Sequence, residues 1–250
     1  MNASEYVLHH LTNTQIGTGG FWTINLDSVI VTLLLGVLFI TPMLFVLRAA
    51  TIRPSFWQNF FEMIFEFVSN EAKSNCPSYV DIIGPFALTI FLSVLCMNAM
   101  DLIPVDSGYL IAKLFNLHSN FKLVPTTDLN VTMGLALFTF VWINVTIIRI
   151  NGLMHYITGF FTHPFGPYLF PANFLFRIVE ELSKTFSLAM RLFGNIFAGE
   201  LVFILLAMSP LYIQVPSVLL WSIFHILIIF LQAFIFMMLS IINFGLAAEH

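Results

Sequence analysis

The sequence predicts an all-α polytopic membrane protein. About five membrane helices are expected plus one interfacial amphipathic helix, the last two membrane helices being long, tilted and paired as a hairpin. Three observations carry this. Of the 250 residues, 59% are hydrophobic and only 9% charged, against about 25% charged in ordinary soluble domains. Mean hydropathy is +0.94. Several stretches stay apolar for about twenty residues, the length a helix needs to cross a bilayer, without the alternation of a membrane strand.

Residues 1–26 read as a polar tail and residues 27–250 as a single membrane domain. The start, MNASEYVLHHLTNTQIGTGG, has neither a basic first region nor an early apolar core, so it does not read as a cleaved signal peptide. The first span is expected at about 29–47, entered past Trp22 and Asp27 and left at Arg48 and Arg53. Residues 54–74 then repeat Glu62, Glu66, Ser69, Asn70 and Lys73 at helical spacing, with Phe56, Phe60, Ile64, Phe67 and Val68 between them. That is the pattern of an amphipathic helix at an interface. Its polar face is acidic, so it suits a partner protein or solvent rather than anionic lipid.

A second span at about 82–103 ends in MDLIPVD, and a loop bearing Lys113 and Lys122 leads to a third at about 129–148, closed by Arg149. The segment NGLMHYITGFFTHPFGPYLFP is rich in Gly, Pro and aromatics and reads as a loop or re-entrant piece. From 172 to 207 there is no proline, so a helix there would run on the order of 50 Å. A hydrocarbon core is roughly 30 Å thick, so this helix must tilt strongly or lie partly along the membrane. After the break SPLYIQVP, an apolar run at about 217–246 closes the chain. Basic residues set orientation. Arg48, Arg53, Lys73 and Arg149 share one side and Lys113 and Lys122 the other, which predicts the N-terminus outside and the C-terminus inside.

Several functions are excluded. No GxxxxGK[ST] loop is present to cradle a phosphate, and the GTGG at 17–20 follows no strand. Cys76 and Cys96 do not suggest a disulfide framework. Neither a metal, a cofactor nor a nucleic-acid partner is expected.

The charges of the long hairpin are more informative. Arg177 with Glu181 and Glu180 with Lys184 are i,i+4 pairs that neutralise one another. Arg191 has no such neighbour, since positions 187, 188, 194 and 195 are Ser, Leu, Gly and Asn. Glu200 is nine residues on, about 13 Å along and half a turn round, so the two face different surroundings. Insertion scales put an arginine at mid-bilayer at about 2.5–3.5 kcal/mol, and arginine does not neutralise by losing its proton. Either a second protein supplies its counter-charge, or asparagine, backbone carbonyls or an interface hold it. Small residues, Ser183, Ser187, Asn195 and the pair Gly194 and Ala198, line the same stretch and let another helix approach. On the final helix His225, Gln232 and Asn243 fall on one line. A lone buried histidine is usually a satisfied core residue. Here the polar stripe opposes a helix bearing Glu200, and histidine–carboxylate chains mark proton relays in pumps.

The stretches SLAMRLFGNIFAGELVFIL and PSVLLWSIFHILIIFLQAFIFMMLS strongly resemble subunit a of the bacterial F-type ATP synthase. FWTINLDSV, FALTIFLSVLCMNAMDLIPVD and VPTTDLNVT support the match, which runs from about Trp22 to His250. The resemblance implies a non-catalytic stator with two offset proton half-channels beside a rotating ring of subunit c, coupling proton flow to ATP synthesis or hydrolysis. It implies the subunit b stalk and the remaining synthase subunits as partners, in the lipid bilayer of a bacterial inner membrane. The family's essential arginine falls on Arg191, its outer relay on Asn195, Glu200, His225 and Gln232, and a position inward of the arginine on Ser187. Two departures concern the inner half-channel: Arg177 stands where the family commonly has an acid, and Thr185 where a proline is frequent. Protons are the expected coupling ion, because a histidine ligates a hard cation poorly. A secondary transporter would show paired repeats, and none is found; a mere scaffold would leave Arg191, Glu200 and His225 unexplained.

Overall fold

The computed structural model describes residues 15–16, 23–48, 54–103, 123–162 and 169–248. Most of the polar tail, Arg53, Lys113 and Lys122 lie outside them. A two-residue antiparallel ladder, β1 (Gln15–Ile16) with β2 (Ile24–Asn25), leads into the helices. These are α1 (Leu26–Arg48), α2 (Phe56–Asn75), α3 (Val80–Ala99), α4 (Leu129–Asn151), α5 (Leu153–Thr162), α6 (Phe170–Ala207) and α7 (Leu211–Ala248). Five of them, α1, α3, α4, α6 and α7, are long and apolar enough to cross a membrane.

Local chemistry explains the boundaries. Ser55 caps α2 by accepting a hydrogen bond from the Gln58 amide at 3.3 Å. Asp128 does the same for α4, accepting from Asn130 N at 3.0 Å, and its other oxygen accepts from Asn25 Nδ2 at 2.7 Å, tying the start of α4 to the entry of α1. Gly152, at φ 84°, ends α4 in the left-handed backbone that favours glycine.

Two expectations are corrected here. The segment expected as a loop or re-entrant piece contains α5, ten residues that pack on α4 and α6; residues 163–168 are outside the described set. The expected break SPLYIQVP is shorter, because α7 already begins at Leu211 and carries Pro216 inside it. A proline six residues from a helix start removes one ladder bond, while the first four amides have no ladder partner in any case. The turn between α6 and α7 therefore reduces to Met208–Pro210, closed by Met208 N to Leu205 O and Ser209 N to Leu206 O.

The core centres on α3 against α7. Ile83, Ala87, Ile90 and Val94 meet Ala233, Phe236, Met237, Ile241 and Phe244, all fully or almost fully buried. Helix α4 adds Ala136, Ile143 and Ile147, α6 adds Leu188, Ala189, Leu192 and Ile196, and α2 adds Val68 and Ala72. Trp142 stacks on Phe86 with centroids 3.7 Å apart. In lipid such contacts work through shape and dispersion rather than water release. The outer faces carry exposed Leu33, Val37, Leu175, Leu182, Leu220 and Leu227, a surface suited to acyl chains.

Helices α6 and α7 have 38 residues each, about 57 Å of helix. They run antiparallel as neighbours and carry most of the polar groups discussed below.

Candidate functional site

Arg191 is the twenty-second of the 38 residues of α6. Its helix turns Leu188, Ala189, Leu192 and Ile196 into the core, so the opposite face looks out. Ser183, Ser187, Arg191, Gly194, Asn195 and Ala198 are all exposed on that face. Among the described residues none forms an ion pair with Arg191. The result is a narrow, small-residue surface with one fixed positive charge at mid-helix.

Towards the α6–α7 turn the character reverses and the polar groups go inside. Glu200 is 5% exposed, on the opposite side of α6 from Arg191. Asn195 spans the boundary: its Nδ2 donates to Oε1 of buried Gln232 at 2.7 Å. Two turns along α7, His225 is wholly buried, flanked by the rings of Phe203 and Trp221. Gly199 leaves the space the imidazole fills: a Cβ there would overlap His225 Cε1 and lie 2.9 Å from Nδ1.

The partner of His225 was not among the residues expected from sequence. Asp101, in the short turn that ends α3, brings Oδ2 to 2.6 Å from His225 Nε2, and both side chains are buried. The approach does not have the geometry of an aligned hydrogen bond to the ring N–H. Asn98, one turn earlier, is fully buried and its amide has no partner among the described residues. The signal it does carry is its place in MDLIP, at the end of a span and without a basic residue three or four positions away.

On the other side of Arg191 lies a second polar region. Arg177 Nη2 meets Glu181 Oε1 at 3.2 Å and Lys184 Nζ meets Glu180 Oε1 at 2.6 Å, the two i,i+4 pairs expected from spacing. They border a cavity of about 180 Å³ between α4, α6 and α7, shared with Asn144, Thr185 and Asn243. Thr185, buried, donates to the Glu181 carbonyl at 2.9 Å. From α5, Tyr156 donates its hydroxyl to Asn144 Oδ1 at 2.6 Å. Burial, and then the Glu181 carboxylate, push the Tyr156 phenol up, with Arg177 pulling the other way, so it stays protonated and able to donate.

Of the residues expected to act together, Asn195 and Gln232 are in direct contact, and His225 and Glu200 are buried nearby on the same pair of helices. Arg191 and Ser187 stand apart on the exposed face. Among the described residues no cluster of three His, Cys, Asp or Glu side chains could hold a metal. Chemically, the arrangement offers two separate polar regions, with an arginine on the surface between them.

Comparison with known proteins agrees in extent with this architecture. The model of the family "ATP synthase A chain" matches residues 29–244. ATP synthase subunit a of Coxiella burnetii (strain RSA 331 / Henzerling II) is 42% identical over 259 residues, covering 100% of this chain and 97% of the relative. ATP synthase subunit a 2 of Photobacterium profundum is 42% identical over 250 residues, covering 99% and 97%. ATP synthase subunit a of Psychromonas ingrahamii is 42% identical over 264 residues, covering 100% and 99%. On this match, which takes in the long hairpin and all the polar groups above, the chain belongs to the ATP synthase A chain family.

Proposed function

We propose that this chain is the proton-conducting stator of an ATP synthase membrane sector, facing a ring of subunit c and held by the subunit b stalk in a bacterial inner membrane. One observation carries the reading. Arg191 is exposed at mid-helix on a small-residue face, without an ion-pair partner among the described residues, between two polar regions. An always-charged group at that depth calls for an opposite charge. A ring of carboxylates passing the face supplies one at each step.

The outer route runs through Asp101, His225 and Glu200 to the Gln232–Asn195 pair, and protons move along it by exchange between histidine, carboxylates and water. A proton delivered to a ring carboxylate neutralises it, releases it from Arg191 and lets it enter lipid. The next ring carboxylate, after losing its proton to the inner side, is drawn to the arginine. The fixed guanidinium also repels protons that would pass straight between the two regions. The distribution of basic residues supports a periplasmic N-terminus and a cytoplasmic C-terminus. Nucleotide chemistry belongs to other subunits.

The test is ATP-driven acidification of inverted vesicles carrying the whole complex with Arg191→Ala. Pumping should fall at least about tenfold while subunit a remains assembled, as read by blotting; wild-type pumping in the assembled variant would overturn the coupling role.

A further inference from the structure

We propose that Phe203 and Trp221 are positioning residues for the outer route: together they clamp the imidazole of His225 in the one orientation that keeps Nε2 on Asp101. This rests on the outer route proposed above and assigns what that route leaves open, how its histidine is held.

The need for a clamp follows from the hydrogen bonds. Neither ring nitrogen of His225 has an aligned hydrogen bond to another described residue. The Asp101 carboxylate lies 2.6 Å from Nε2, yet off the geometry of an aligned bond. A directed bond at one nitrogen is what ordinarily fixes the tautomer and the aim of the other. Without one, rotation about the Cβ–Cγ bond is soft, with a broad and roughly two-fold profile. Packing must therefore set the ring angle.

Three residues on two helices supply that packing. Gly199 leaves the space the ring fills. Phe203, one turn further along α6, stands edge-on to the imidazole, with centroids 5.4 Å apart and planes at 87°. Trp221, one turn before His225 on α7, lies closer to parallel, at 6.1 Å and 26°. The two aromatic rings also meet each other, at 6.5 Å and 74°. The three rings thus form a closed triangle across the seam between α6 and α7, each separation within the roughly 4.5–7 Å at which aromatic pairs attract. With one neighbour nearly parallel and the other nearly perpendicular, a single ring plane satisfies both, and a turned ring satisfies neither.

The indole N–H does not contribute a bond. Trp221 Nε1 is buried and has no partner among the described residues, so what Trp221 offers His225 is a flat face. Phe203 and Trp221 are both half-buried, while the imidazole they hold is wholly buried. Loss of either ring frees the imidazole to turn and carries Nε2 away from Asp101. Neither residue takes up a proton; both act through His225.

The test uses inverted vesicles bearing the assembled complex, with ATP-driven pumping normalised to subunit a by blotting. Trp221→Met and Phe203→Met keep much of the bulk and remove the flat ring, and each should lower pumping about tenfold. Trp221→Phe keeps a flat ring without the N–H and should stay within about twofold of wild type. A loss in Trp221→Phe as deep as in Trp221→Met would assign the effect to the N–H and overturn the clamp. His225→Gln separates orientation from structure, because it leaves no imidazole to orient. In that background either Met substitution should change the residual pumping less than about twofold. A further loss of about tenfold there, or failure of both Met variants to assemble, would show that the rings serve the fold alone and would overturn the proposal. His225→Gln by itself tests the route: wild-type pumping in it defeats the outer route, whereas loss there with wild-type pumping in both Met variants defeats only the clamp.

Discussion

Gly199→Ala is the most direct probe of how the outer polar cluster is built. A Cβ at this position would overlap His225 Cε1 and lie 2.9 Å from Nδ1 and 3.1 Å from Nε2. Ordinary contact needs about 3.5–4.0 Å, so the imidazole must retreat by more than about 1 Å. It has little room, because it is wholly buried between Phe203 and Trp221. Overpacking of this kind costs about 1–3 kcal/mol. The shift also stretches the 2.6 Å contact with Asp101, and contacts to charged groups contribute about 1.5–3 kcal/mol. The sum, about 2.5–6 kcal/mol, should appear as a lower thermal midpoint of the purified complex's membrane sector. Proton pumping should fall by about tenfold or more, since a displacement of about 1 Å can cost on the order of a hundredfold where groups must be aligned. The control is a double-mutant cycle: in a His225→Ala background the added methyl meets open space, and Gly199→Ala should then be nearly neutral for stability. An equal loss in both backgrounds, or no loss in either, would refute the packing argument.

Two further substitutions test the scaffold. At Gly245 a Cβ would come within 2.8 Å of Cys76 Sγ, so Gly245→Ala should destabilise by about 1–2 kcal/mol through overpacking, and adding Cys76→Ala should recover most of it in the same thermal assay. Asp128→Ala removes both the cap of α4 and the bond from Asn25 and should cost about 1–2 kcal/mol for the cap alone. Asp128→Ser keeps a capping oxygen, so the loss it still shows against wild type measures the tie to Asn25, and the further loss in Asp128→Ala measures the cap.

The helical architecture was legible because a bilayer permits few solutions. Long apolar runs with sparse charges can only be spans, and Arg191 stood out for the same reason. Ser183, Ser187, Gly194 and Ala198 likewise announced a thin face through size and spacing alone. Asp101 was not legible as the partner, because what makes it matter is a contact with His225 across 124 residues of sequence, and the lack of a nearby basic residue does not say which group it meets. Helix α5 was missed for a related reason. Gly159 and the aromatics lower its intrinsic propensity, and its packing against α4 and α6 overrides that. Pro216 misled in the opposite direction: it reads as a stop, yet it falls close enough to a helix start to be tolerated.

The exposed arginine face has a consequence for biogenesis. A copy newly inserted by the translocation machinery holds Arg191 against acyl chains or water defects until another subunit covers it, an arrangement costing about 2.5–3.5 kcal/mol on insertion scales. The orphan chain is thus a higher-energy species than the same chain in its complex. Under the coupling role proposed above, the same arginine would also mark unassembled copies for membrane quality control, so synthesis in excess of partners should end in degradation rather than accumulation.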